Sequence, residues 1–336
     1  MSRAPSRLSA DIDFDKEGKQ TGFVRLPHSV HRSAYGWIPI PVTCIRNGEG
    51  PRVLLTAGNH GDEYEGQVAL MKLVRSLEPR DVRGRIIVLS AANFPAAMAG
   101  TRTSPIDEGN LNRSFPGDPN GTVTEQIAYY IESVLLAQSD FALDMHSGGS
   151  SLMYVPSALA RRFDEPEKTK RSVELLRAFG APVGYLTDAP QGADRTLTAG
   201  AERQGVTCMG TELGGSGTVT PAALRAGEAG LRRVLGLVGA LTDPPKEKPP
   251  ETRLMEVRGW DYYVYAPDSG LWEPLVELGD EVAAGQPAAA IHFPDTPWRE
   301  PTIAKFARAG TVICKRIPGR TERGDCLFHL GTPVKL

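Results

Sequence analysis

His60 and Glu63 stand three residues apart in TAGNHGDEYEG (56–66), just beyond an apolar run and at the mouth of a helical pattern. At that spacing an imidazole and a carboxylate reach the same point. A second histidine, His146, closes FALDMH, and Asp144 two residues earlier shares its face of the strand that this run predicts. Two imidazoles and one carboxylate, with a fourth position open, are the ligand set of a hydrolytic zinc site. A carboxylate behind one imidazole is the usual partner that fixes its tautomer. One Zn2+ per chain is therefore expected on His60, Glu63 and His146, with Asp144 behind His146. The glycines at 58, 61 and 66 are expected to let the backbone bend close to whatever is bound.

Hydrolysis at such a site needs a base. Glu212 in GTELGG is the candidate, because it leaves an apolar strand where an acidic side chain is otherwise costly to desolvate. Positive charge comes from the polar, Gly- and Pro-rich stretch 95–121, long enough to mark a functional loop. In it Arg102 can stabilise an oxyanion, and Arg113 with Asn112 can hold a substrate carboxylate in bidentate geometry. Each piece alone has a plainer reading. HxxE pairs arise by chance, a histidine in an apolar run is usually a satisfied core residue, and loop arginines are usually solvated. The gathering of all of them argues for a site.

The elements that must position these residues alternate between strand and helix, the pattern of a sheet covered by helices on both faces. IPIPVTCI and PRVLLTAG flank RNGEG, whose Asn-Gly predicts an antiparallel hairpin. QVALMKLVRSL reads as a helix and GRIIVLSAANF as a buried strand. TVTEQIAYYIESVLLA reads as an amphipathic helix capped by Thr122 or Thr124, KTKRSVELLRAFG as a helix with a glycine stop, and VTCMGTELGG as a strand. PAALRAGEAGLRRVLGLVGAL follows as a long helix opening on proline. In an open α/β sheet, ligands bind beyond the carboxyl ends of the strands. His60 with Glu63, His146 and Glu212 all sit at such ends, so they should meet.

Residues 1–241 are expected to form the catalytic α/β domain, with the first stretch of about 20 residues as an extended arm. Residues 242–252 carry four prolines and read as a linker, and 253–336 change to short strands with glycine turns, an all-β domain. With 38 basic and 40 acidic residues intermixed, no global field attracts nucleic acid or anionic lipid. Neither a secretory leader nor a stretch of ~20 apolar residues is present, so a cytoplasmic protein with no membrane partner is expected. Cys44, Cys208, Cys314 and Cys326 form no close pair and read as reduced, mostly buried fillers.

Taken together, HGDE, NLNRSFPG, DMHSGG and TELGG resemble the succinylglutamate desuccinylase and aspartoacylase family, relatives of the zinc carboxypeptidases, over about residues 50–240. The resemblance implies a zinc-carboxypeptidase-like mixed sheet flanked by helices. It also implies zinc on His60, Glu63 and His146, Glu212 as general base and acid, Arg102 as electrophile, and Asn112 with Arg113 on the substrate carboxylate. Within the family, GTRTSPIDEGNLNRSFPG and the appended β domain look most like the bacterial N-alpha-acetyl-L-2,4-diaminobutyrate deacetylases of ectoine breakdown. GLWEPLVELGDEVAAGQPAAAIHF resembles half of a biotinyl or lipoyl barrel, but the tip HFPDTPWRE lacks the lysine a carrier needs. This domain is expected to cap the cleft or build an oligomer interface. Tyr262, Tyr263 and Tyr265 lie in it, and none is matched to the late tyrosine that carboxypeptidase relatives use.

The expected activity is a zinc amidohydrolase that removes a small acyl group from an N-acyl amino acid. A metallocarboxypeptidase acting on short peptides and a catalytically silent metal-containing binding protein are the rivals. A diaminobutyrate amine would want an acidic partner, Asp118 and Glu125 being two of many. Self-association into a homo-oligomer is left open.

Overall fold

The computed structural model describes residues 4–188 and 193–334. At its centre lies the strand Arg52–Ala57, buried after its first residue. Gly84–Leu89 and Phe141–His146 are buried throughout and pair with it in parallel, one on each side. Near-continuous apolar runs of this kind suit a sheet covered on both faces. Strand alternation then sorts the side chains. Val53 and Leu55 enter one core with the helices Tyr64–Ser76, Pro166–Phe179 and Pro221–Leu237, while Leu54 enters a second with Val123–Tyr130.

Thr207–Glu212 extends the parallel set beyond Phe141–His146. Ser157–Arg161 pairs antiparallel with Thr207–Glu212, and Val183–Thr187 runs parallel to Ser157–Arg161. The result is the expected mixed sheet flanked by helices. Helix boundaries follow local chemistry. Thr122 caps Val123–Tyr130 in a capping box with Glu125, Gly180 ends Pro166–Phe179 in the left-handed region at φ +70, and Thr220 caps Pro221–Leu237.

The expected hairpin is absent. Trp37–Asn47 bonds antiparallel to Gly18–Pro27 and to Gly84–Leu89, and Arg52–Ala57 lies on the far side of Gly84–Leu89. Gly48 does turn the chain, at φ +64. However, GRIIVL is apolar on both faces and inserts between the two strands, completing both backbone ladders where a two-stranded hairpin would leave one edge of each open.

Residues 242–252 contain no helix or strand. Arg253–Val257 then joins the same large sheet, parallel to Val183–Thr187, with Cys326–Pro333 antiparallel beyond it. The rest of the chain is antiparallel β structure in two layers. One holds Tyr263–Tyr265, Cys326–Pro333, Gly310–Arg316 and Glu281–Val282; the other holds Thr302–Lys305, Pro287–His292, Gly270–Pro274 and Arg320–Thr321. Trp272, Ile291, Phe306, Ile313 and Phe328 belong to one shared core. All four cysteines are free, and Cys44 and Cys314 are buried. Among the described residues, no helix is long and apolar enough to cross a membrane.

Candidate metal centre and active site

Parallel pairing sets Ala57 beside Met145 and Glu212 beside His146, so the three strands release their chains at one edge of the sheet. Glu63 is the residue from which the helix Tyr64–Ser76 starts, and its carboxylate lies between two imidazoles. Oε1 is 2.6 Å from His60 Nδ1, and Oε2 is 2.8 Å from His146 Nδ1 while accepting from the Ser147 N–H at 3.1 Å. Both rings are anchored from behind. Asn110 Oδ1 accepts from His60 Nε2 at 3.1 Å, and Asp144 Oδ2 from His146 Nε2 at 2.7 Å. Asp144 is itself held by Thr56 Oγ1 at 2.7 Å and Asn59 Nδ2 at 3.0 Å.

This donor set suits a metal ion. With each Nε2–H committed to an oxygen, each Nδ1 turns its lone pair toward the Glu63 carboxylate, an arrangement that repels unless a positive charge stands between. The ligand atoms of His60, Glu63 and His146 lie within 4.8 Å of one another, and all three side chains are buried. Electrostatics point the same way. Burial opposes ionisation of Glu63, yet the two imidazoles hold its carboxyl well below the ordinary range. Burial likewise opposes the His146 imidazolium, but the charges of Asp144 and Glu63 carry its pKa well above the usual value.

The loop residues close over this point. Arg102 Nη1 is 3.3 Å from His60 Nδ1 and 3.4 Å from Glu63 Oε1. Asn112 Oδ1 accepts from the Leu197 N–H at 3.0 Å, which leaves Nδ2 facing His146 Nε2 at 3.5 Å. Arg113 donates to the Asn112 carbonyl at 2.7 Å and is exposed along one wall. Glu212 lines the same cavity, and its Oε2 is sealed from solvent with no hydrogen-bond partner among the described residues. Burial and the neighbouring Glu63 charge push the Glu212 carboxyl well above its ordinary range. The eight candidate ligand, catalytic and carboxylate-binding residues, with Asp144 behind His146, thus meet around one cavity of about 520 Å³.

Residues 49–238 match the succinylglutamate desuccinylase/aspartoacylase catalytic domain. The chain belongs to the succinylglutamate desuccinylase/aspartoacylase family. It is 43% identical over 332 residues, 98% of this chain and 96% of the relative, to the N-alpha-acetyl-L-2,4-diaminobutyric acid deacetylase of Halomonas elongata. Solved structures are similar as well. The product-bound ectoine utilization protein EutE (DoeB) from Ruegeria pomeroyi is 40% identical, with 98% of this chain and 100% of that one covered at a TM-score of 0.93. A succinylglutamate desuccinylase/aspartoacylase from Rhodobacter sphaeroides is also 40% identical, with the same coverage and a TM-score of 0.91. As a family member the chain is a hydrolase of linear amide bonds, a deacylase.

Two expectations change within this family site. Gly61 and Gly66 make room for protein rather than for ligand. A Cβ on Gly61 would lie 2.0 Å from the Ala96 carbonyl carbon, and one on Gly66 would lie 2.6 Å from Met145 Cβ. Their space lets the strand, the helix and the Phe94–Ala99 segment close up behind the candidate metal ligands. Asp118 and Glu125 are not in the cavity. Asp118 Oδ1 accepts from the Asn120 N–H in a turn, and Glu125 serves the Thr122 cap. The cavity's carboxylates are Glu63, Asp144, Asp188 and Glu212.

Other residues around the site carried no local signal in the sequence. Asn110, which orients His60, precedes Asn112 by two residues in a polar loop and looks like any turn residue. Tyr154, Tyr185 and His329 reach the cavity from strands far apart in the chain. Of the three late tyrosines, Tyr263 lines the cavity, while Tyr262 is buried against Thr332 and Tyr265 is partly exposed.

Proposed function

We propose that this chain is a cytoplasmic, zinc-dependent deacetylase of N-alpha-acetyl-L-2,4-diaminobutyrate in ectoine breakdown. The observation that carries the chemistry is one cavity holding the His60–Glu63–His146 cluster beside Glu212, whose Oε2 has no partner among the described residues, and the loop arginines Arg102 and Arg113. The substrate assignment is supported by a 43% identical relative that bears that activity in its name and spans nearly the whole chain.

His60, Glu63 and His146 would hold a zinc ion, which when bound would supply Lewis-acid polarisation of the scissile carbonyl and of a water. Glu212 takes a proton from that water and returns it to the departing amine nitrogen, so that a carbon–oxygen bond forms as the carbon–nitrogen bond breaks. Arg102 donates its guanidinium hydrogens to the developing oxyanion, strongest where charge grows in the transition state. Arg113 and Asn112 Nδ2 hold the α-carboxylate of the amino acid. Asp144 keeps His146 in the tautomer that presents Nδ1. Acetate and the free amino acid are the products. Residues 1–241 form the catalytic unit in this reading, 242–252 the connection, and 253–336 the β region that supplies Tyr263 and His329 to the cavity wall.

The test is amine release from a panel of N-acetyl, N-succinyl and N-formyl amino acids, with and without chelator, using wild type and Glu212→Gln. Chelator-sensitive release from acetyl-diaminobutyrate, with metal retained but turnover lost by at least about 100-fold in Glu212→Gln, is expected. Full activity in the variant would remove Glu212 from the mechanism.

A further inference from the structure

One wall of the cavity is left unused by the deacylation chemistry. His329, on the strand Cys326–Pro333, lines that wall and is only 4% exposed, yet neither ring nitrogen has a hydrogen-bond partner among the described residues. Buried polar atoms without partners are destabilising, and a phenylalanine would fill the same space without them. Burial pushes the imidazole pKa down to about 3, so the ring is neutral near pH 7, with one N–H and one free lone pair.

Three tyrosines of the same cavity surround it. Tyr263 stacks on His329 with 4.4 Å between ring centroids and 6° between planes. Tyr154 and Tyr185 meet it edge to face at 6.2 and 5.9 Å. The field of Glu212 reaches all three tyrosines. Aromatic rings, an unused lone pair and the field of a nearby carboxylate are the chemistry that receives an alkylammonium. An apolar acyl group would leave both His329 nitrogens unsatisfied.

We propose that Tyr154, Tyr185, Tyr263 and His329 form the subsite for a cationic side chain on the amino-acid half of the substrate, with the His329 lone pair accepting from its ammonium. This rests on the reading of the substrate as an N-acyl amino acid bearing a side-chain amine. The cavity is then ordered by charge, with the carboxylate end on Arg113 and Asn112 and the ammonium end on the aromatic wall.

The test uses full-length, metal-loaded protein and compares N-acetyl-2,4-diaminobutyrate with N-acetylnorvaline, which has the same side-chain length without the charge. Wild type is expected to favour the cationic compound. His329→Phe should lower that preference in kcat/KM by about tenfold or more, carried by KM with kcat within about twofold, and its Tm should equal or exceed wild type. Tyr263→Leu, which removes the stacked ring but leaves His329, should act in the same direction. An unchanged preference in both variants overturns the proposal. So does a change in the acetyl-to-propionyl ratio with charge preference intact, which would place the acyl group against these rings. Loss of preference in Asp188→Asn but not in His329→Phe also overturns it, by assigning the ammonium to Asp188. A wild type inert on acylated diaminobutyrate but active on another acyl amino acid refutes the substrate reading itself, and the subsite with it.

Discussion

Gly61→Ala tests whether backbone packing behind the candidate metal ligands is what makes the site. The residue stands between His60 and Glu63, and its N–H donates to the Thr101 carbonyl at 2.9 Å. A β-carbon there would sit 2.0 Å from the Ala96 carbonyl carbon, 2.1 Å from its oxygen and 2.4 Å from the Ala97 nitrogen, whereas ordinary contact begins at 3.4 Å. The two segments must therefore separate by roughly 3.4 minus 2.0, or 1.4 Å, and the obstacle is backbone that no rotamer change can clear. Overpacking of this kind costs about 1–3 kcal/mol. A displacement of about 1 Å at a positioned group costs about 100-fold in rate. We expect metal affinity to fall about 10- to 100-fold, as it does when ligand support is lost. Chelator competition gives the affinity, and thermal unfolding of the metal-free protein gives the packing term. Gly319→Ala is the control, because nothing lies within 4 Å of its β-carbon and its φ is ordinary. Wild-type affinity and Tm in Gly61→Ala would refute the reasoning, since the Ala96 backbone would then be yielding freely.

Two further predictions follow from buried groups. Asp144→Asn keeps the shape but weakens the charged hold on His146 Nε2, so metal affinity should drop about 10- to 100-fold while the metal-free Tm changes far less; unchanged affinity in a chelator titration would count against the tautomer argument. His329 is neutral when folded, with a pKa of about 3 against 6.5 when unfolded. The unfolded chain therefore gains a proton that the folded chain refuses. Stability from this site is complete above pH 6.5 and declines by up to about 1.4 kcal/mol per pH unit as pH falls toward 3. His329→Phe removes the effect, so its Tm advantage over wild type should widen between pH 7 and pH 5. A constant difference would show that the ring is protonated without penalty.

The chemistry-bearing residues were legible because their signals are local. An apolar run followed by a polar, glycine-rich turn marks the end of a strand, and His60, Glu63, His146 and Glu212 each stand at such a mark. Asp144 was placed behind His146 by strand alternation alone, and the 2.7 Å contact follows from that geometry. The Asn47-Gly48 turn was legible too, yet the pairing inferred from it was wrong. A turn determines only where the chain bends, whereas Gly84–Leu89 competes for both strands from more than thirty residues away.

The glycine pattern shows the same division. Local sequence demands a small residue at positions 61 and 66 but does not reveal whether ligand or protein fills the space, and it is the Ala96 backbone and the Met145 side chain that do. The sequence by itself determined the candidate ligand types, their order and the strand ends that carry them, because these depend on residue chemistry and on periods of two and 3.6. Only the tertiary structure decided that Asn110 orients His60, that Asp118 and Glu125 lie outside the cavity, and that Tyr154, Tyr185, Tyr263 and His329 form one of its walls. Those contacts join strands up to 175 residues apart, from Tyr154 to His329. Proximity between them is created by sheet order, which no local pattern encodes.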